Sequence, residues 1–336
     1  MRGDFTWVDG ERLIRFGPGA LGEAAELLGE RGFQEYALLT TERALLSAPD
    51  LADGAGVVLL VPAGQVPAAA AAVRTAVEGR QLVALGGGRV IDSAKAIAGA
   101  DGLQCAAVPT TLSGAEMTTI HRMPTGVNTG RLVRPSLVIA DPGLMASAPM
   151  PGLAASAMNS LGHAAEALYH PLANPVTDAA ALSAARLISD GLSTEKPDRH
   201  QLALGGLLAG YAIGSTGLLV HHIVSQSLVR VAGTPHAQTN AVILPHSLQL
   251  MTVRTPDELG RLALAFGADS ADPDRAVSQA TTLAVRAEVR TLTDLGVEWQ
   301  QLDDVVQAAL ERPELRNTPE PPGARELKDL LESAFE

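Results

Sequence analysis

The sequence predicts an α/β half followed by an all-helical half, and three observations lead to that class. Apolar runs of strand length alternate with helical stretches through the first 150 residues, and the strands cease after "DPGLMASAPMPGL". The 336 residues, 46% of them hydrophobic, suffice for one large or two medium domains. The expected division is 1–150 and 151–336, near Pro149 and Pro151.

Taken in order, the expected strands are "YALLTT" near Tyr36, "GVVLLVPA" from Gly56, "QLVALGGG" from Gln81, "QCAAVPTT" from Gln104 and "SLVIADP" from Ser136. Between them, "GALGEAAELLGERG" and the Ala-rich "VPAAAAAVRTAVEGR" read as helices, the second because alanine is the strongest helix former. Strand–helix–strand alternation implies a parallel sheet, since parallel neighbours need a crossover connection. From about Leu153 the chain reads as helices broken at "HPLANPVTD", "STEKPDRH" and "RNTPEPPG".

A formal net charge of −12 and the lack of any Lys/Arg-rich run argue against nucleic-acid binding, which needs a basic surface to neutralise phosphates. The single cysteine, Cys105, cannot form an intrachain disulfide, and it sits in the apolar run "LQCAAVP"; a reducing cytoplasm suits it. The N-terminal "MRGDFTWVDGERLIRF" places charges where a signal peptide needs its apolar centre. Leu202–Ser225 is long enough to span a bilayer and carries no Asp, Glu, Lys or Arg. Its glycines and the adjacent His221 and His222 favour closely packed buried helices instead, so no membrane partner is expected.

"VALGGGRVIDSAKAIAG" sets Gly86, Gly87 and Gly88 between an apolar strand and an amphipathic helix. Glycine lets backbone N–H groups approach an anion, and the helix N-terminus adds a favourable dipole, so the loop suits a phosphate; an ordinary strand-to-helix turn has the same form. A second loop, "VPTTLSGAEMTT", follows another apolar strand and offers the hydroxyls of Thr110, Thr111 and Ser113, for a ligand or for turn capping. In "MNSLGHAAEAL", Asn159 and His163 lie one helical turn apart on one face, which suits a metal ion, a substrate carbonyl or a buried cluster. His221 and His222 point roughly 100° apart on a helix, so only one can face a site shared with His163 and with His236 of "GTPHAQTNAVILPH".

Together, "GGGRVIDSAK", "PTTLSGAEMT", "DPGLM", "MNSLGHAAEALYHPLANPV", "LLVHH" and "PHAQTNAVILPH" resemble, in order and context, the iron-containing alcohol dehydrogenase superfamily, and most closely its maleylacetate reductase branch. The resemblance covers essentially the whole chain. It implies a dehydroquinate synthase-like architecture, with a nucleotide-binding α/β domain, a helical catalytic domain and NAD(P)H-dependent carbonyl reduction. By the same resemblance Gly86, Gly87 and Gly88 would hold the pyrophosphate, with Thr110, Thr111 and Ser113 lining the cofactor. Asp92 and Lys95 would sit at the cofactor and active-site cleft, Lys95 among the catalytic residues. From its position after an expected strand, Glu42 of "LLTTERAL" would favour NAD over NADP through the ribose 2′-OH.

Metal-dependent members of the superfamily use an Asp and three His, and the matching positions here are Asn159, His163, His222 and His236. An amide brings no charge to offset Fe²⁺, although three His ligands can hold Zn²⁺. The expected site therefore holds no tight iron, and Asn159, His163, His222 and His236 polarise or protonate a carbonyl. Three departures stand out: Gln226 where relatives often have a second histidine, Arg89 where Ser is common, and a short, divergent Met117–Pro135 stretch where substrate contacts are expected. The resulting expectation is a cytoplasmic, homodimeric NAD(P)H-dependent reductase of a small-molecule carbonyl, or of a C=C conjugated to one, such as a maleylacetate-like oxo-acid. The alternatives are a non-redox lyase or cyclase on the same scaffold, or a binding homologue without turnover.

Overall fold

In the computed structural model, which describes residues 4–336, every apolar run expected as a strand enters one seven-stranded sheet. Its strands are β1 (Phe5–Asp9), β2 (Arg12–Phe16), β3 (Tyr36–Thr40), β4 (Ala55–Leu60), β5 (Leu82–Gly86), β6 (Cys105–Pro109) and β7 (Leu137–Ala140). They lie in the order β1-β2-β7-β6-β5-β3-β4, and only the β1–β2 pair is antiparallel. That β1–β2 hairpin was not foreseen from the sequence. Its buried phase on β2 is Arg12, Ile14 and Phe16, and an arginine at a core position hides the two-residue period.

The helices of this half are α1 (Ala24–Glu30), α2 (Glu42–Ser47), α3 (Val66–Arg74), α4 (Gly88–Asp101) and the short α5 (Pro142–Met145). Successive strand residues serve opposite faces, as the pleat requires. Ala37, Leu39, Leu82, Ala84, Cys105 and Ala107 pack with α3 and α4 residues such as Ala70, Val73, Ile91 and Ile97. Leu38, Val83, Leu85, Ala106 and Val108 pack with Ala24 and Leu28 of α1 and Ala44 of α2. A sheet covered on both faces explains why β5 and β6 are apolar at every position instead of alternating.

Strand order also locates a topological switch. From β3 the chain crosses to β4 on one side and then to β5 on the other, so the connections leave the carboxyl ends of β3 and β5 in opposite directions. Open α/β sheets bind ligands at such a point.

By internal contacts the chain separates into two compact units, one ending at Ser147 and the other spanning Ala148–Glu336. The second unit is helical: α6 (Met150–Tyr169), α7 (Pro175–Ser193), α8 (Arg199–Thr216), α9 (Val220–Ala232), α10 (His236–Met251), α11 (Pro256–Ala265), α12 (Pro273–Ala284), α13 (Leu302–Leu310) and α14 (Ala324–Ser333). Two of the expected breaks are helix starts. Asn174 caps α7 through a reciprocal bond with Thr177 and is followed by Pro175; Asp198 caps α8. The Leu202–Ser225 stretch is two helices, α8 and α9, bent by 99° at a short break that contains Gly217 at φ +133°. No single helix among the described residues is long and apolar enough to cross a membrane.

Candidate active site

At the carboxyl edge of the sheet the two loops singled out in the sequence are neighbours. Gly86 pairs with Pro109 in register, and the Thr110 N–H donates to the Gly86 carbonyl at 3.0 Å. Gly87 is the N-cap of α4 and offers no side-chain cap, so the Gly88 and Arg89 N–H groups of the first turn are available to an anion. A Cβ on Gly87 would lie 3.0 Å from Thr111 Cγ2, and one on Gly88 would lie 3.2 Å from Ser113 Cβ, so the absence of side chains lets the loops close on each other. Glu42 is exposed in the first turn of α2, just beyond the end of β3, with Arg43 exposed beside it. Arg89 is exposed in the first turn of α4. Neutral loops, an uncapped helix start and the switch point together fit a dinucleotide phosphate.

The catalytic role expected of Lys95 does not match its surroundings. Its Nζ is fully buried and donates to Asp92 Oδ1 (2.8 Å), the Ala115 carbonyl (2.9 Å), Thr118 Oγ1 (3.2 Å) and the Ile120 carbonyl (2.9 Å). Three ammonium protons facing four oxygens leave none for a substrate. Lys95 ties the 115–120 loop to α4, a positioning task. Burial raises the Asp92 pKa, and the Lys95 charge opposes that shift.

In the helical unit His163 and His222 stack, with ring centroids 4.4 Å apart and planes within 10°, and His222 meets His221 edge-on at 4.7 Å. His163 also feels the charge of His236, so the three histidines gather in one region. Burial lowers the pKa of His163, His221 and His222 well below the usual imidazole value, and these rings are neutral at pH 7. His236, at the start of α10, is exposed, with Asn240 Nδ2 3.3 Å from its Nε2. Asn159 Oδ1, His163 Nδ1 and His222 Nε2 are buried without a hydrogen-bond partner. Buried polar atoms left this way mark a place for a ligand or water.

As placed here, these donors are not aimed at one common point. An imidazole lone pair lies in its ring plane, so two nearly parallel stacked rings direct theirs side by side instead of onto one point. Asn159 adds no charge, and among the described residues no group of three or more His, Cys, Asp or Glu side chains is arranged to hold a metal ion.

Sequence reasoning missed Glu166. Its Oε2 lies 2.7 Å from His222 Nδ1, and its Oε1 accepts the His222 backbone N–H at 3.2 Å. The N–H groups of Leu219 and His221 also hold its charge. α9 has no cap of its own, so this carboxylate from α6 caps it and fixes the His222 ring. The readable signal was the spacing of His163 and Glu166, three apart on one helical face. His221 turns the other way, its Nδ1 3.1 Å from Ser247 Oγ.

Gly162 lets α6 approach this pair: a Cβ there would fall 2.4 Å from His221 Nε2 and 3.2 Å from His222 Cε1. Gly162→Ala should therefore destabilise the protein by about 1–3 kcal/mol through overpacking and lower turnover as the rings shift. Chemical denaturation with parallel kinetics checks it, and parental values in both would refute the close approach.

Residues 153–335 match the family model described as "Fe-containing alcohol dehydrogenase family, C-terminal", and residues 15–149 match that described as "Iron-containing alcohol dehydrogenase". Maleylacetate reductase 1 of Rhodococcus opacus is 35% identical over 291 residues, covering 84% of this chain and 80% of that protein. The maleylacetate reductase of Pseudomonas aeruginosa is 32% identical over 317 residues, 89% of each. The crystal structure of maleylacetate reductase from Agrobacterium tumefaciens superposes with a TM-score of 0.82 at 28% identity, covering 100% of this chain and 99% of that one.

Proposed function

Because the chain belongs to the iron-containing alcohol dehydrogenase family and is an NAD(P)-dependent oxidoreductase, we propose that it reduces a small oxo-acid of the maleylacetate type. The observation that carries the reading on the protein side is the placement of the uncapped Gly86–Gly88 turn at the switch point of a parallel sheet. Gly86, Gly87, Gly88 and the α4 N-terminus would bind the pyrophosphate. Thr110, Thr111 and Ser113 would line it, and Asp92 would stand one turn into α4. Residues 1–150 thus act as the dinucleotide-binding domain and 151–336 as the catalytic one. When bound, the reduced nicotinamide supplies a hydride to the carbonyl carbon or to the far carbon of a C=C conjugated to it. Asn159 Nδ2 and a ring N–H of His163 or His236 would hold and polarise the carbonyl, His222 Nε2, left an acceptor by the Glu166 bond, would accept from substrate or water, and exposed His236 or water would deliver the proton. Substrate-dependent loss of absorbance at the reduced-nicotinamide band, measured with maleylacetate, tests the activity; no loss with it or with related oxo-acids refutes this substrate class.

Glu42 favours NADH, since a carboxylate beyond β3 accepts from a ribose 2′-OH and repels a 2′-phosphate. Gly87→Val should weaken NADH binding about tenfold or more by blocking close phosphate approach. The added side chain also presses on Thr111, so Gly87→Val combined with Thr111→Ala separates the causes: affinity restored in the double variant assigns the loss to crowding. Unchanged affinity in folded Gly87→Val removes the loop from the cofactor site, and tighter NADPH than NADH binding removes Glu42.

The reductase is further inferred to work as a cytoplasmic homodimer without tightly bound iron. The stacked rings and the neutral Asn159 support the metal-free reading. Chelator treatment should leave turnover intact. Near-stoichiometric Fe or Zn, lost with activity and restored with the same metal, would make His163, His222 and His236 ligands.

A further inference from the structure

We propose that a cavity at the amino edge of the sheet is a binding site for a small organic anion with a carboxylate or phosphate head. The cavity, about 420 Å³, opens where β2, β6 and β7 begin, the edge opposite the glycine loop. Its size is in the range of small-molecule sites. The divergent stretch expected to contact substrate ends here, at Arg131–Ser136, instead of at the carboxyl edge.

Three guanidinium groups border the cavity. That of Arg12 is buried and already engaged by the Pro135 and Glu116 carbonyls and by Asp9. Arg131 and Arg134 are exposed, and neither side chain makes a hydrogen bond or ion pair within the described residues. Burial first, and then the nearby cation of Arg134, lower the Arg12 pKa, while Asp9 and Glu116 oppose that shift, so Arg12 is compensated from within and Arg131 and Arg134 are not. In a chain of net charge −12, the two arginines Arg131 and Arg134, without carboxylate partners among the described residues, are placed to receive an anion. Glu11 on the rim limits the excess and disfavours highly charged ligands.

The backbone that carries the two arginines is tied down. The Arg131 N–H donates to Gly99 O at 3.1 Å, the Val133 N–H to His121 Nε2 at 3.2 Å, and the Ser136 N–H to Cys105 O at 2.8 Å. Gly99 admits this contact because a Cβ there would lie 2.2 Å from the Arg131 carbonyl oxygen. The other walls combine the Thr119 hydroxyl with Leu132, an apolar side chain left 60% exposed. A cationic pair beside an apolar wall selects an anionic head on an apolar body over a bare inorganic ion.

The inference is independent of the reductase reading, and its test uses calorimetry of the full chain, which needs no turnover. Phenyl phosphate and benzoate are titrated beside inorganic phosphate and neutral benzyl alcohol. The organic anions should bind at least about tenfold tighter than benzyl alcohol, and Arg131→Gln/Arg134→Gln should abolish that preference while leaving NADH binding unchanged. Undiminished anion binding in the double variant, equal binding of benzyl alcohol, or no heat with either organic anion at millimolar concentration would overturn the site. Inorganic phosphate binding as tightly as phenyl phosphate would overturn the organic class.

Discussion

Glu166→Ala is expected to destabilise the protein by about 3–5 kcal/mol, because several buried donors each lose a carboxylate acceptor at about 1–3 kcal/mol, and to lower turnover by about 10- to 100-fold. The carboxylate accepts from His222 Nδ1 and from backbone N–H groups at the start of α9, and alanine leaves all of these buried donors unpaired. The loss in turnover follows from the ring. With Nδ1 held by Glu166, His222 presents Nε2 to the site; without that hold, both tautomer and orientation are free. Glu166→Gln keeps one acceptor and should fall between parent and alanine in both measurements. Urea titration together with kcat and KM decides the matter. An alanine variant as stable and as fast as the parent would reduce Glu166 to a bystander.

Lys95→Met should cost a similar amount, about 3–5 kcal/mol, because methionine fills the space but leaves Asp92 without its cation and two loop carbonyls without a donor. The Asp92 pKa should climb further once the opposing Lys95 charge is gone. The Thr110–Ile120 loop should loosen, so weaker dinucleotide binding is expected along with the lower stability. Fluorescence titration with NADH and denaturant unfolding measure the two effects. A stable Lys95→Met protein that binds NADH normally would show that the four contacts contribute little.

Local periodicity in the sequence was sufficient for the five parallel strands, the Ala-rich helix and the helical second half, since a buried two-sided sheet and an amphipathic helix impose different spacings on apolar residues. The Gly86–Gly88 turn was equally legible, because its glycines stand where a strand becomes a helix. Several features were not. The β1–β2 hairpin escaped because Arg12 occupies a core position, which the Pro135 and Glu116 carbonyls and the Asp9 carboxylate around its guanidinium make tolerable. Lys95 reads as chemically active until its four oxygen partners, contributed by α4 and a loop more than one helix away, are known. Glu166 and His222 are 56 residues apart, and nothing local links a carboxylate on α6 to the start of α9. Residue types and their spacing on single elements thus determined the fold class and the candidate groups. Strand order, the stacking of His163 on His222 and the direction of each ring nitrogen were decided by packing between distant segments, where a buried polar atom takes whatever partner the tertiary structure brings within reach.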